Sequence, residues 1–202
     1  TDLCVCGSAE HTILHNLHLG VYAMSKNTGY MRADRQNDEL YTPFYAVDPI
    51  IKYLPHRKRI WTPCDLAWSA FPRRLKECGY QVTSSALAAG QDFFEYEPPN
   101  WDIIVTNPPY SIKDQILARL YELDKPFAVL LPLASLQGKT RFEYFKKGIQ
   151  ILAFDARVAF HDPQHTKQPV KGTPFAVAYF CRGVLPKDLI VEHLKEYDRP
   201  LF

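Results

Sequence analysis

The chain has no segment long and apolar enough to span a bilayer. Its longest apolar runs, such as residues 127–131, fall far short of the ~20 residues a membrane helix needs, so no membrane partner is expected. It shows no basic, apolar, small-residue leader at its start, and secretion is therefore not expected. Cysteine is sparse and odd in number, five in 202 residues. That excludes a disulfide framework and points to a reducing cytoplasmic setting. An excess of either charge is also missing. The net charge is +2, so a nucleic-acid ligand would have to be met by a local basic patch. Internal repeats and low-complexity segments are absent. What remains is ordinary globular composition, 47% apolar and 23% charged, which excludes disordered, collagen-like and coiled-coil chains. The length suits one domain, or one domain with a short appendage.

The first 23 residues lack lysine and arginine but hold Cys4, Cys6, His11, His15 and His18. Met24 then opens a stretch that reads like a natural protein start. Residues 1–37 are expected to form an extension outside the main fold, and residues 38–202 a catalytic domain. The Cys-x-Cys pair with His11 and His15 raises a metal site. The paired spacings of zinc modules are missing, so no metal is expected.

From residue 40 the pattern becomes regular. Asp48-Pro49 reads as an N-cap and first helical residue of a helix through Leu54. Strands are expected at 59–62, 80–84, 101–106, 127–131, 149–154 and 175–180. Helices are expected at 69–78, capped by Gly79, from Ser111 with Asp114 in a capping-box-like start, and at 135–147. Ile112, Ile116 and Leu120 fall on one face of the second of these. Strands alternating with helices imply a mostly parallel α/β sheet with right-handed crossovers.

The most informative feature is Asn107-Pro108-Pro109-Tyr110, directly after the apolar strand Ile103-Ile104-Val105-Thr106. Ligands of open α/β sheets bind at the carboxyl ends of strands. The residue types suit the methylation of a poorly nucleophilic amine, such as the exocyclic amine of adenine, whose lone pair is delocalised into the ring. The Asn107 side-chain oxygen can accept one N–H and the Pro108 carbonyl the other. Consecutive prolines fix φ and hold that carbonyl in place before substrate arrives. Tyr110 offers a flat face for a base to stack on.

With these residues the sequence resembles the N6-adenine DNA methyltransferases that use S-adenosylmethionine, of the small phage and prophage type. The resemblance covers about residues 38–182. It implies a Rossmann-like class I methyltransferase fold, with a mostly parallel seven-stranded sheet, one antiparallel strand and helices on both faces. It implies S-adenosylmethionine as cofactor, DNA as partner, and a cytoplasmic setting in a bacterium or phage-infected cell. Asn107, Pro108, Pro109 and Tyr110 would be the catalytic residues. Tyr41, Thr42 and Pro43 resemble the segment that cradles the cofactor's methionine part. Pro63, Cys64, Asp65 and Ser69 match the strand and loop that follow, and Asp92 and Phe93 the segment meeting the cofactor's adenine. Residues 173–180 resemble the antiparallel strand.

Two departures stand out. The loop Cys64-Asp65-Leu66-Ala67-Trp68-Ser69 contains no glycine, where most such enzymes have a glycine-rich turn. The ribose-binding acid expected after the second strand is replaced by Thr83-Ser84-Ser85. Asp65 could bind the cofactor's ammonium and the serines could take the ribose; a degenerate site that no longer binds cofactor is the other reading. Cys64 has no evident histidine or carboxylate pairing and is not expected to act as a nucleophile.

Residues 134–174 carry Lys139, Arg141, Lys146, Lys147, Arg157, Lys167 and Lys171 against Glu143, Asp155 and Asp162. Lys139, Arg141, Arg157, His165, Lys167 and Lys171 are the expected DNA contacts, with Gln164 and Gln168 as readers of base edges. Arg57, Lys58, Arg59, Arg73 and Arg74 read as solvated faces. Three other functions stay open: methylation of RNA adenine, methylation of a protein glutamine amide, and a pseudo-methyltransferase that only binds DNA or a protein. The oligomeric state is open too, a homodimer included.

Overall fold

The computed structural model describes residues 40–161 and 175–201. The extension 1–37, with its cysteines and histidines, lies outside the described residues, as do Gln164, His165, Lys167, Gln168 and Lys171. Seven strands form one sheet: β1 (Arg59–Pro63), β2 (Gln81–Ser85), β3 (Ile103–Thr106), β4 (Phe127–Pro132), β5 (Gln150–Phe154), β6 (Val177–Arg182) and β7 (Leu189–Glu192). Among the described residues four α-helices accompany them: α1 (Phe44–Ile51), α2 (Ala70–Glu77), α3 (Lys113–Leu123) and α4 (Lys139–Phe145).

The order across the sheet is β2-β1-β3-β4-β6-β5-β7. β1, β2, β3 and β4 pair in parallel, and β6 is antiparallel to both β4 and β5. The central strands β3 and β4 are buried at every position, as their continuous apolar runs require of strands covered on both faces. The chain moves one way across the sheet through α2 and the other way through α3. Right-handed crossovers in opposite directions place those helices on opposite faces. This is the expected Rossmann-like fold, a mostly parallel seven-stranded sheet with one antiparallel strand. No helix among the described residues is long and apolar enough to cross a membrane.

The expected glycine cap of α2 is formed. Gly79 takes φ +85°, its N–H donates to Lys76 O at 2.9 Å, and the Tyr80 N–H reaches back to Leu75 O at 3.1 Å. These are the two bonds of a Schellman turn.

Several local expectations are corrected. α1 begins at Phe44 with Pro43 as its N-cap, and Pro49 lies inside it. Asp48 does not cap; its carboxylate accepts from Arg74 Nε at 2.6 Å and from the Tyr197 hydroxyl at 2.8 Å. Without an N–H to donate, Pro49 weakens the ladder, and the helix stops two residues on. α3 begins at Lys113 with Ile112 as an N-cap that makes no side-chain bond. Asp114 instead accepts from Arg141 Nη1 at 2.5 Å. The single helix expected over 135–147 is two pieces, a 3₁₀ turn at Leu133–Leu136 and α4. Arg141 folds back across the break and also donates to the carbonyls of Ser135 and Gln137. A Cβ at Gly138 would stand 2.5 Å from Arg141 Nη2, so a side chain there would have to displace the guanidinium. Finally, β7 was not expected. It is a four-residue strand beside β5, and the preceding Leu185-Pro186-Lys187-Asp188 reads as turn rather than strand.

Candidate active site

The strand order reverses between β1 and β3. Their carboxyl ends, Pro63 and Thr106, therefore flank the crevice where ligands of such sheets bind. A cleft of ≈ 300 Å³ opens there, within the usual range for a small-molecule site. Every expected catalytic residue, Asn107 through Tyr110, lines it. So do Tyr41, Thr42, Cys64, Asp65, Ser69, Asp92 and Phe93. Pro43 and Pro63 do not; they act from behind, as the cap of α1 and as a carbonyl acceptor for the Thr106 hydroxyl.

Asp65 is the buried acid of the site. It is 6% exposed, and no lysine or arginine pairs with it among the described residues. Burial pushes its carboxyl up to about 8, against opposing hydrogen bonds from the Thr106 hydroxyl, the Ser69 side chain and the Asn107 N–H. Thr106 Oγ1 stands 2.8 Å from Asp65 Oδ2. A carboxylate buried without a cation is costly, so this one is set to receive a cation or to hold a proton.

Asn107 is oriented from the other side. Its Nδ2 donates to Thr42 Oγ1 at 3.0 Å and to Leu40 O at 3.4 Å. A carbonyl can only accept, which fixes the amide's orientation. Oδ1 is then the acceptor left over, and it is buried with no hydrogen-bond partner. Residues 40–42 reach this position because Tyr41 exchanges two backbone hydrogen bonds with His161, at 3.0 and 2.9 Å. The Tyr41 ring also stands edge-on to Trp68, centroids 5.1 Å apart.

Tyr110 is 5% exposed. Its ring lies nearly perpendicular to Phe175 and Phe160, with centroids 5.7 and 6.5 Å away. Cys64 occupies the left-handed region at φ +65°, the conformation for which a glycine would serve. Burial, with Asp65 and Asp92 nearby, pushes its thiol up to about 12. At neutral pH it is a thiol rather than a nucleophilic thiolate.

The far wall is apolar. Phe93 is 4% exposed and packs on Trp61 at 5.3 Å, so the ring with a free face is Phe94, 39% exposed, and Leu87, 74% exposed, lines the same cleft. Asp92 accepts the Phe94 N–H at 3.0 Å. The serines that end β2 do not line the cleft. Ser85 Oγ is 2.8 Å from the Trp61 indole N–H and accepts it, and Thr83 does not line the cleft either. Gln91 does. Sequence reasoning missed Gln91, Trp68, Leu201 and Thr106. Only Thr106 carried a signal, being a hydroxyl residue at the end of an otherwise apolar strand.

The basic residues are elsewhere. Arg141 is engaged with Asp114, Ser135 and Gln137. Lys139, Lys146, Lys147 and Arg157 are exposed, and Lys146 pairs with Glu143. Leu133 and Leu136, 38% and 43% exposed, stand at the carboxyl end of β4. The Leu133 N–H donates to Ala176 O at 2.8 Å, one residue from the Phe175 ring beside Tyr110.

No family model matches the chain, and no curated protein does. Among solved structures it is similar to a modification subunit assigned to a type I restriction enzyme from Vibrio vulnificus YJ016, at 12% identity and TM-score 0.46, over 85% of this chain and 47% of that one. It is similar to the methyltransferase subunit of a type I restriction-modification system from Streptococcus thermophilus, at 13% identity and TM-score 0.48, over 70% and 43%. It is also similar to a dimethyladenosine transferase from Plasmodium falciparum, at 13% identity and TM-score 0.43, over 71% and 62%. The chain thus spans less than two thirds of each of these proteins.

Proposed function

We propose that the protein transfers a methyl group from S-adenosylmethionine to the N6 amine of adenine in DNA. The observation that carries this reading is the buried, unpartnered Asn107 Oδ1, held toward one task by two bonds to its own Nδ2. An amide fixed in this way is a preorganised acceptor for an N–H of the target amine. The Pro108 carbonyl accepts the second N–H, which favours a pyramidal nitrogen with its lone pair free to attack. No carboxylate base is required, because the proton leaves after transfer. A base drawn out of the duplex would meet Tyr110 at the same wall.

The residues present fit S-adenosylmethionine. Asp65, a buried acid with no cation of its own, would take the ammonium. Phe94 and Leu87 would cover the adenine ring, with Asp92 at its amine. When bound, this cofactor supplies an electrophilic methyl group. The glycine-free loop is compatible with binding, because Cys64 adopts the left-handed turn a glycine would otherwise provide.

DNA is favoured as substrate by exposed Lys139, Lys146 and Lys147 and by the exposed Leu133 and Leu136 at the carboxyl end of β4. Lysines there would contact phosphates, and apolar side chains would meet the opened base stack. The test is product analysis with methyl-tritiated cofactor on duplex DNA, RNA and a glutamine-containing peptide. Label recovered as N6-methyladenine from DNA is expected. Label in the peptide, or in RNA alone, would replace the substrate assigned here; cofactor binding with no transfer would favour a pseudo-methyltransferase.

A further inference from the structure

The hydroxyl of Thr106 faces two acceptors. Pro63 O lies on one side and Asp65 Oδ2, at 2.8 Å, on the other. Thr106 is 1% exposed, so water cannot take over either bond. A threonine hydroxyl carries a single proton, and it can satisfy only one of the two at a time. If it is given to the Pro63 carbonyl, the Asp65 carboxyl can bond to Thr106 only as a donor, which requires it to be protonated. If it is given to Asp65, the carboxylate can be ionised. The two hydroxyl orientations therefore correspond to the two protonation states of the acid.

The surroundings bias this choice. Ser69, at the start of α2, and the Asn107 N–H donate to the carboxylate. Among the described residues, the titratable groups nearby are Cys64 on the same loop and Tyr179 on β6, with Asp92 next to Cys64. None supplies a positive charge. Without a ligand, burial favours the neutral acid, consistent with a carboxyl pushed up to about 8.

We propose that Thr106 is a positioning residue that turns its hydroxyl from Pro63 to Asp65 when a cationic ligand enters, so that cofactor is taken up in exchange for one proton. The proton leaves Asp65 for solvent, the ligand's ammonium takes its place, and the Thr106 proton becomes a donor to the new carboxylate. No bond other than these O–H contacts is broken. This inference rests on the reading of Asp65 as the ammonium site and adds the coupling to pH.

The test is calorimetric titration of S-adenosylmethionine at pH 6.5 in two buffers of different ionisation enthalpy, which counts protons. At that pH the ligand's amine, ordinarily near 7.7–8.0, is charged. The wild type should release close to one proton per ligand bound, and its affinity should rise about tenfold per pH unit from pH 6 to 7. Thr106→Val should move that rise to higher pH by a unit or more, because the ionised acid loses its donor. Thr106→Ser, which keeps the hydroxyl, should restore the wild-type profile. Binding without proton release would overturn the proposal and leave the cofactor reading intact. Weakened binding in Thr106→Val with an unshifted pH profile would reduce Thr106 to a packing role and also overturn it. Absence of binding in the wild type and in Thr106→Ser would overturn the cofactor reading itself.

Discussion

The two ends of one strand pair, β1 and β3, differ in how their polar groups are satisfied. At the amino end Arg59 and Asp102 leave nothing open. The Arg59 N–H and Nε both donate to Asp102 Oδ2, at 2.9 and 3.0 Å, and Nη2 donates to Oδ1 at 3.0 Å. The Asp102 N–H returns to Arg59 O at 2.8 Å, and Arg59 Nη1 reaches Asn100. This pairing holds the Asp102 carboxyl well below the usual carboxylate range. At the carboxyl end the logic is reversed. Among the described residues Asp65 has donors but no cation, and Asn107 Oδ1 has no hydrogen-bond partner. Buried polar groups are normally satisfied, so an acceptor without a donor and an acid without a cation, on two residues that line one cleft, mark a place where a ligand completes the bonding. A fully paired acid serves the fold, and an underpaired one is held ready for a ligand.

The largest effect expected from breaking this contrast is at Asn107. Asn107→Ala should lower methyl transfer by 10²–10³, or ~3 kcal/mol, measured as turnover at saturating cofactor. Next is Asp65. Its folded pKa is raised above the unfolded value, so the native state binds more protons than the unfolded chain between about pH 4 and 8. Wild-type stability should therefore fall as pH rises through that window. Asp65→Asn should remove this dependence in urea melts taken at pH 5 and pH 8. Asp92→Ala should raise the cofactor dissociation constant about tenfold, near 1.4 kcal/mol, seen by calorimetry.

At the opposite end, Arg59→Ala should cost stability and leave cofactor affinity unchanged. The loss should be small, because half-exposed ion pairs are worth little. The sign with pH is opposite to that of Asp65. The Asp102 contribution is present above the ordinary aspartate pKa and is lost as pH falls below it, so wild type and Arg59→Ala should converge in acid. Smallest is Cys64→Gly. Relief of the left-handed residue should raise the melting free energy by up to ~1 kcal/mol, with turnover retained.

Much of the architecture was legible because it is written in apolar runs. Ile103 to Thr106 and Phe127 to Leu131 admit few readings besides buried strands, and Asn107-Pro108-Pro109-Tyr110 follows the first of them directly. What was not legible depends on which of several partners a polar side chain takes. Asp48 and Asp114 look like caps, yet each faces an arginine from a distant segment. Ser85 looks available for a ligand until Trp61 is placed beside it. Arg141 looks like a phosphate contact until α4 turns it inward. Thr106 was visible as a strand residue, but its position between Pro63 and Asp65 exists only once β1 and β3 are paired. The short strand β7 offers an apolar run of only three residues, Leu189-Ile190-Val191, and Leu189 and Val191 face solvent.

The proposed function divides the labour between the two underpaired groups: Asp65 would hold the cofactor and Asn107 the target amine. The most direct measurement is the cofactor dissociation constant and the single-turnover rate at saturating cofactor, taken together on Asp65→Asn and Asn107→Ala. The expected result is a dissociation constant raised at least tenfold in Asp65→Asn and nearly unchanged in Asn107→Ala, with the rate collapse confined to Asn107→Ala. Equal loss of cofactor binding in both variants, or undiminished turnover in Asn107→Ala, would contradict it.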